Sequence, residues 1–125
     1  GDVMWKKIYA GSDRVYLNTA EDPNGNLYFN TANGIMKINS GGNTLWKRNF
    51  SAIIGFQYLK FTNNFKHLIC YGSNSLGKAD SSGNLVWFKN YINVGFPNTY
   101  VMDFTEIYNS YYITGIVQPQ AGGYQ

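Results

Sequence analysis

Charged side chains are scarce in this sequence. Asp, Glu, Lys and Arg make up 14% of the 125 residues, whereas an average soluble domain has about 25%. The net charge is only +3 and the basic residues are dispersed, which excludes the clustered basic face of a nucleic-acid-binding protein. Asn, Gly and aromatic residues take the place of charge, with aromatics at 18%. The composition indicates one turn-rich β domain, because disordered chains are poor in aromatic residues.

Cysteine, histidine and long apolar runs are equally rare. Cys70 is the only cysteine, which excludes an intrachain disulfide, and its apolar neighbours predict a small buried side chain. His67 is the only histidine and no Gly-x-Ser-x-Gly motif is present, so we expect a strand-end histidine and not a catalytic one. No apolar run reaches the ~18 residues that span a membrane, and no signal peptide is visible at Gly1.

The sequence does contain a five-residue motif that recurs every 41 residues. It reads GDVMW, GNTLW and GNLVW, and a basic residue follows each tryptophan within two positions. The residues in phase are Trp5, Trp46 and Trp87, with Gly1, Gly42 and Gly83 four positions earlier. Such a period indicates a repeat architecture, with repeats 1–41, 42–82 and 83–125 in a single segment.

One period predicts four short strands. RVYLNTA, LYFNTA, IMKIN and TLWKRNF are rich in β-formers. EDPNGN and SGGN are turn sequences, and Asn33-Gly34 is a two-residue hairpin signal. The next period repeats this order, and TYVMDFT and YYITGIV begin a third. Four antiparallel strands in about 41 residues match a β-propeller blade. We therefore predict an all-β fold of propeller blades, an incomplete ring of about three.

The three tryptophans are expected to pack between neighbouring blades, because a single four-stranded sheet cannot bury both of its faces alone. An aromatic platform for a sugar or a peptide is the alternative. Closed propellers need about four to eight blades. We therefore expect either a fragment of a longer propeller, since both ends cut through predicted strands, or copies that assemble into a ring.

The segment DPNGNLYFNTANGIMKINSGGNTLWKRN resembles the repeat of PQQ-like β-propellers, whose pattern runs D-x-x-G-x-φ-Y and then K-φ-D-x-x-G-x-x-x-W (φ, an apolar residue). The next period fits with Asp80, Gly83 and Trp87, whereas Asn39 replaces an aspartate. The resemblance covers essentially the whole chain. It implies an architecture like that of WD40 proteins and a large bacterial protein that is secreted or on the cell surface. It implies no one function, because such propellers serve many.

The acidic ligand set of the quinone-dependent members is not matched in this sequence, so no cofactor, no metal and no enzymatic activity are expected. Asp22, Asn24 and Asn26 alternate as in a calcium loop, but a plain β-turn fits them better. Asp103 and Glu106 lie where axial sites of propellers form, and we expect no catalysis there.

Two functions remain open. The first is a non-catalytic scaffold or protein-interaction module, whose partner is another protein, the remaining blades or a secretion translocon. The second is a carbohydrate-binding propeller, since DPNGNLYF is also similar to a strand of tachylectin-type lectins. Ligand contacts are expected from inter-blade loops. The residues singled out there are Asp13, Arg14, Phe56 and Phe96.

Overall fold

All regular secondary structure in the described residues is β-strand. The computed structural model describes residues 15–50, 56–72, 74–91 and 98–118. The strands are β1 (Val15–Glu21), β2 (Leu27–Thr31), β3 (Gly34–Ile38), β4 (Thr44–Asn49), β5 (Tyr58–Phe61), β6 (His67–Gly72), β7 (Ser75–Asp80), β8 (Leu85–Asn90), β9 (Asn98–Ile107) and β10 (Ser110–Gln118). Each lies where the alternation of β-forming and turn-forming segments predicts it. The all-β expectation is confirmed.

The strands form three antiparallel sheets in chain order. Sheet 1 has the order β1-β2-β3-β4, sheet 2 has the order β5-β6-β7-β8, and sheet 3 pairs β9 with β10. Every strand is hydrogen-bonded to the strand that follows it in its sheet. Each sheet is thus a simple meander, which short turns permit because antiparallel strands need no crossover connection.

Sheet 2 is buried on both faces, and β6 shows this most clearly. Successive side chains of a strand point to opposite faces. Leu68 and Cys70 join the apolar cluster shared with sheet 1, whereas Ile69 and Tyr71 join the cluster shared with sheet 3. All four are buried. A strand apolar on both faces stabilises the protein only between two other layers, so the continuous run HLICY specifies a stack.

Sheet 1 follows the same rule. Tyr28 and Ile35 point towards sheet 2, and Phe29, Met36 and Ile38 form a separate buried cluster on the opposite face. The fourth strands β4 and β8 are much more exposed than the second and third strands. The core therefore lies between the middle strands of neighbouring sheets.

Trp46 and Trp87 pack at the inter-sheet contacts. Trp46 lies against the cluster shared by sheets 1 and 2, edge-on to Tyr28 at 5.8 Å between ring centroids. Trp87 lies against the cluster shared by sheets 2 and 3, with 6.2 Å between its centroid and that of Tyr111. One period therefore moves the tryptophan to the next inter-sheet cluster, although its aromatic partner changes from Tyr28 of the same sheet to Tyr111 of the next sheet.

One five-residue turn is used three times. In DPNGN, NSGGN and DSSGN the first side chain accepts hydrogen bonds from two backbone N–H groups, two and four residues later, at 2.9–3.0 Å. The fourth residue is a glycine with φ near +80° in each copy. Asp and Asn favour such turns because a short side chain can satisfy nearby backbone donors. The motifs before Trp46 and Trp87 therefore specify a turn, and the same turn also joins β1 to β2.

The hairpin between β2 and β3 differs from the sequence expectation by one residue. Thr31 pairs directly with Gly34, so the loop is Ala32-Asn33 and not Asn33-Gly34. Gly34 is required for another reason. A Cβ at Gly34 would collide with the backbone carbonyl of Arg48 on β4, and a glycine is the residue that permits such a close backbone approach.

We predict that Gly83→Ala destabilises the protein by about 2 kcal/mol or more. Gly83 has φ +82°, where an L side chain is strained. An added Cβ would also lie 2.7 Å from the ring of Trp46 and 2.6 Å from Arg48 Cγ, a contact that forces the turn and sheet 1 apart. The free energy of unfolding from urea titration measures the effect.

Gly41→Ala is the matched control. It lies in the equivalent turn between β3 and β4, at a backbone conformation open to other residues, and its added Cβ would approach nothing closer than 3.4 Å. Its stability should change by no more than about 0.5 kcal/mol. Equal losses in the two variants would contradict the packing of this turn on Trp46.

Candidate functional site

The first strands of sheets 1 and 2 lie side by side and enclose a cleft. The Asn18 side-chain oxygen on β1 accepts a hydrogen bond from the Leu59 N–H on β5 at 3.1 Å, and the two residues are 41 positions apart. The cleft has a volume of about 560 Å³ and is polar and aromatic in character. The residues that line it and carry polar or aromatic groups are Asn18, Thr19, Glu21, Lys60, Phe61, Thr62, Asn63, Phe65 and Tyr71.

The first strands of sheets 2 and 3 are joined in a related way. The Asn63 N–H donates a hydrogen bond of 2.8 Å to Glu106 Oε2. Lys60 Nζ lies 3.9 Å from Asp103 Oδ1, although both side chains are more than half exposed. The two acidic side chains, which the sequence places near a candidate axial site, thus connect β9 to sheet 2.

Phe65 gives the cleft an exposed aromatic wall. It occupies the left-handed position of the β5–β6 turn with φ 57°, a conformation that is rare for a bulky residue. Its ring is 47% exposed and lies 5.5 Å from that of Phe61. Backbone strain at an exposed aromatic residue points to a functional constraint. Amide and hydroxyl groups beside an aromatic face suit a small neutral polar ligand.

The Asp22 turn contains a compact ionic cluster. The Asp22 carboxylate accepts hydrogen bonds from the Asn26 side chain at 2.9 Å and from the Tyr28 hydroxyl at 3.1 Å, and it lies 3.4 Å from Lys37 Nζ. Lys37 also lies over the Tyr28 ring at 4.7 Å. These donors occupy the oxygens that a calcium loop would present, which agrees with the β-turn interpretation.

The cluster shifts the acidity of its members. Burial raises the pKa of Asp22, but the hydrogen bonds from Asn26, the Asn24 N–H and Tyr28 outweigh burial and lower that pKa to about 2. Burial raises the pKa of Tyr28. Burial also acts to lower the pKa of Lys37, yet contacts with Tyr28 and Asp22 raise it overall. All three groups keep their usual charge at neutral pH, as a structural ion pair requires.

His67 and Cys70 have structural positions. His67 begins β6 opposite Asp80, and burial together with Lys78 lowers its pKa. Cys70 is 1% exposed between sheets 1 and 2, and burial raises its pKa to about 12. Its thiol therefore remains protonated and unreactive. The prediction of a small buried cysteine is confirmed.

The structure describes one of the four loop residues singled out as ligand contacts. Phe56 is 5% exposed and packs edge-on to Phe88 at 6.1 Å, so its ring belongs to the core between sheets 1 and 2. Asp13, Arg14 and Phe96 lie outside the described residues, as does Trp5.

Sequence reasoning missed the cleft residues Asn18 and Phe65. In the sequence, Asn18 and Leu59 stand only at equivalent positions of successive repeats. That spacing does not predict that the Asn18 side chain bonds to the next sheet. It also missed Asn30 and Thr31 on β2. Both are buried, and their side-chain polar atoms form no hydrogen bond within the part of the chain that the structure describes.

The described ranges contain no group of three or more His, Cys, Asp or Glu side chains that could hold a metal ion. The same ranges contain no helix of the length and hydropathy needed to cross a bilayer. Comparisons with protein-family models, with curated proteins and with solved structures found no match.

We predict that Asp22→Asn removes an acid-dependent part of the stability. A folded-state pKa of about 2, against the usual 3.8, corresponds to about 2 kcal/mol. Because this pKa is depressed, the contribution is present above about pH 4 and is lost as the pH falls towards 2. Asn keeps the turn, as Asn39 shows. Urea unfolding at pH 6 and pH 2 measures the difference.

Asp80→Asn serves as the control, since Asp80 caps a turn of the same type between β7 and β8 without a lysine ion pair or a tyrosine hydroxyl among its described contacts. It should reduce the acid dependence less than Asp22→Asn does. An unchanged acid dependence in Asp22→Asn would contradict the role of this cluster.

Proposed function

We propose that the chain is a segment of a PQQ-like β-propeller, with the three sheets as successive blades around an axis next to β1, β5 and β9. In this proposal it is a non-catalytic scaffold or protein-interaction module of a larger exported or cell-surface bacterial protein. Its partners are further blades and other proteins, a secretion translocon among them. The 41-residue repeat and its resemblance to PQQ-like repeats support this assignment.

The observation that carries the propeller proposal is the way in which neighbouring sheets meet. The first strands of sheets 1 and 2, β1 and β5, are close and share the Asn18–Leu59 hydrogen bond, and the β5–β6 turn of sheet 2 reaches β9 through the Asn63–Glu106 hydrogen bond. The fourth strands β4 and β8 do not approach each other as closely as β1 and β5 do. Sheets that are close at their first strands and apart at their fourth strands form wedges. When successive sheets are rotated in the same direction by such a wedge, they close into a ring.

Four of the described carboxylates make structural contacts, which supports a scaffold. Asp22 and Asp80 cap turns, whereas Asp103 and Glu106 connect β9 to sheet 2. A general acid or base must be free to reach a substrate. Since these side chains already hold turns and sheets together, their arrangement favours a structural role.

Carbohydrate binding is the second candidate function, and the cleft between β1 and β5 favours it. Phe65 offers an exposed ring, and Thr19 and Asn63 offer hydrogen-bonding groups in the same cleft. Sugars are recognised by this combination of an apolar face and polar hydroxyl partners. The scaffold is preferred because Asn63 already bridges to Glu106.

We predict that the distance between equivalent labelled positions increases from the first strand to the fourth. The inner pair is Thr19→Cys with Lys60→Cys, and the outer pair is Leu45→Cys with Val86→Cys. All four positions are exposed and each pair is 41 residues apart. With identical spin labels, electron paramagnetic resonance should give a longer outer distance, because propeller blades splay away from the axis.

The wild-type chain is the labelling blank, since Cys70 is buried and should not react. Sheets stacked without rotation would remain about 10 Å apart along their length. Equal inner and outer distances would therefore refute the propeller arrangement.

For the lectin alternative, we predict that sugar binding depends on Phe65. Titration of the chain with mono- and disaccharides, followed by chemical shifts, should give saturable binding that Phe65→Ala weakens at least about tenfold, through loss of stacking. Tyr112→Ala is the control, as Tyr112 is also exposed but lies away from the cleft. Failure to saturate with any sugar would eliminate this alternative and favour the scaffold.

A further inference from the structure

A second cleft opens between sheets 2 and 3, beside the outer edge of β10. It has a volume of about 500 Å³. Its walls are aromatic and apolar apart from one lysine. The lining residues are Leu76, Trp87, Lys89, Tyr91, Tyr111 and Ile113.

The wall contributed by sheet 2 has a filled counterpart on sheet 1. One repeat earlier, the positions of Leu76, Trp87, Lys89 and Tyr91 are occupied by Ile35, Trp46, Arg48 and Phe50. These are residues of the same character in the same order along the third and fourth strands. Ile35 is fully buried, and Trp46 and Phe50 pack against the core cluster between sheets 1 and 2.

The hairpin formed by β7 and β8 covers part of the counterpart, together with Phe56 and residues of β5 and β6. Ala79 and Phe88 contribute to the same core cluster. The turn at Gly83 lies so close to Trp46 and Arg48 that an added Cβ would be within 2.7 Å of both. Sheets 1 and 2 therefore show that a hairpin of a third and a fourth strand packs on an apolar wall of this composition.

The edge strand β10 of sheet 3 could also pair with such a hairpin. In sheets 1 and 2 the second strand pairs with a third strand, β3 or β7. Within the described residues, β10 pairs with β9 alone. Ile113 on β10 lines the cleft and is 37% exposed. An open strand edge beside an apolar cleft is the arrangement that β-strand addition uses.

We propose that β10 and this cleft bind a β-hairpin that carries the third and fourth strands of a further repeat of the same kind. The hairpin pairs with β10 and places its equivalents of Ala79 and Phe88 over Trp87. The cleft is continuous with the existing contact between sheets 2 and 3, where Val101 and Phe104 already cover Tyr71 and its neighbours. This inference rests on the proposed propeller and names the partner surface within it.

The test supplies the hairpin as a covalent extension. A copy of residues 74–91 is joined to Gln125 through a flexible Gly-Ser linker, which gives a high effective concentration at the cleft. Hydrogen exchange should show β10 amides protected at least about tenfold more than in the unextended chain. The control extension carries Asp in place of its copy of Phe88, which would bury a charge, and should give no added protection.

A matched pair of substitutions locates the contact. Ile113→Lys should abolish the added protection, because Ile113 faces the cleft. Ile116→Lys changes an exposed residue on the same strand outside the cleft lining, and should leave the added protection within about twofold. Both positions are exposed, so both variants should fold.

Two results would overturn the proposal. One is unchanged exchange of β10 in the extended chain while β2 and β6 stay protected. The other is a concentration-dependent dimer of the unextended chain that Ile113→Lys disrupts and the extension does not displace, because the occupant would then be a second copy. Spin-label distances decide the propeller arrangement separately. Splayed sheets with an unprotected β10 would reject this inference alone.

Discussion

The structure depends on the burial of both faces of sheet 2 between sheets 1 and 3. The middle strands of sheets 1 and 2 are apolar on two sides, so either sheet in isolation would expose apolar core residues to water. With Leu68 and Cys70 on one side of β6 and Ile69 and Tyr71 on the other, burial of either face requires the next sheet. Because apolar burial is the dominant stabilising term in folding, the sheets are stable only as a series.

Polar contacts join neighbouring sheets at the edge where their first strands lie. Asn18, Asn63 and Lys60 reach from one first strand or its turn to the next sheet, whereas the fourth strands are more exposed and farther apart. The inter-sheet hydrogen bonds therefore act at one edge of the stack. The same edge contains the cleft with the strained Phe65. Some polar groups that could bind a ligand in this cleft therefore already hold the sheets together. Asn63, which lines the cleft and bonds to Glu106, is the clearest example.

The three sheets do not repeat every contact, and their differences show which interactions belong to one sheet alone. The Asp22–Tyr28–Lys37 cluster occurs only in sheet 1, because Asn63 and Ile69 stand one period after Asp22 and Tyr28. Lys78 is retained and lies over Tyr111 of sheet 3 at 5.4 Å. The cation thus keeps an aromatic partner while the carboxylate is lost. Sheet 3 departs further, since its tight turn uses Tyr108 and Asn109 with positive φ in place of the capped five-residue turn.

The sequence by itself determined the strands, their order within each sheet, the capped turns and the burial of Cys70. These depend on local rules, namely alternation, turn chemistry and the 41-residue period, which act within a few residues of the chain. It misplaced one hairpin loop by a residue, because the need for Gly34 arises from the carbonyl of Arg48 on another strand. The tertiary structure alone decided which side chains meet between sheets. Asn63 and Glu106 are 43 residues apart and not 41, and Phe56 was expected in a ligand-binding loop but lies in the core. Such pairs depend on how whole sheets pack against each other, and no local pattern encodes that distance.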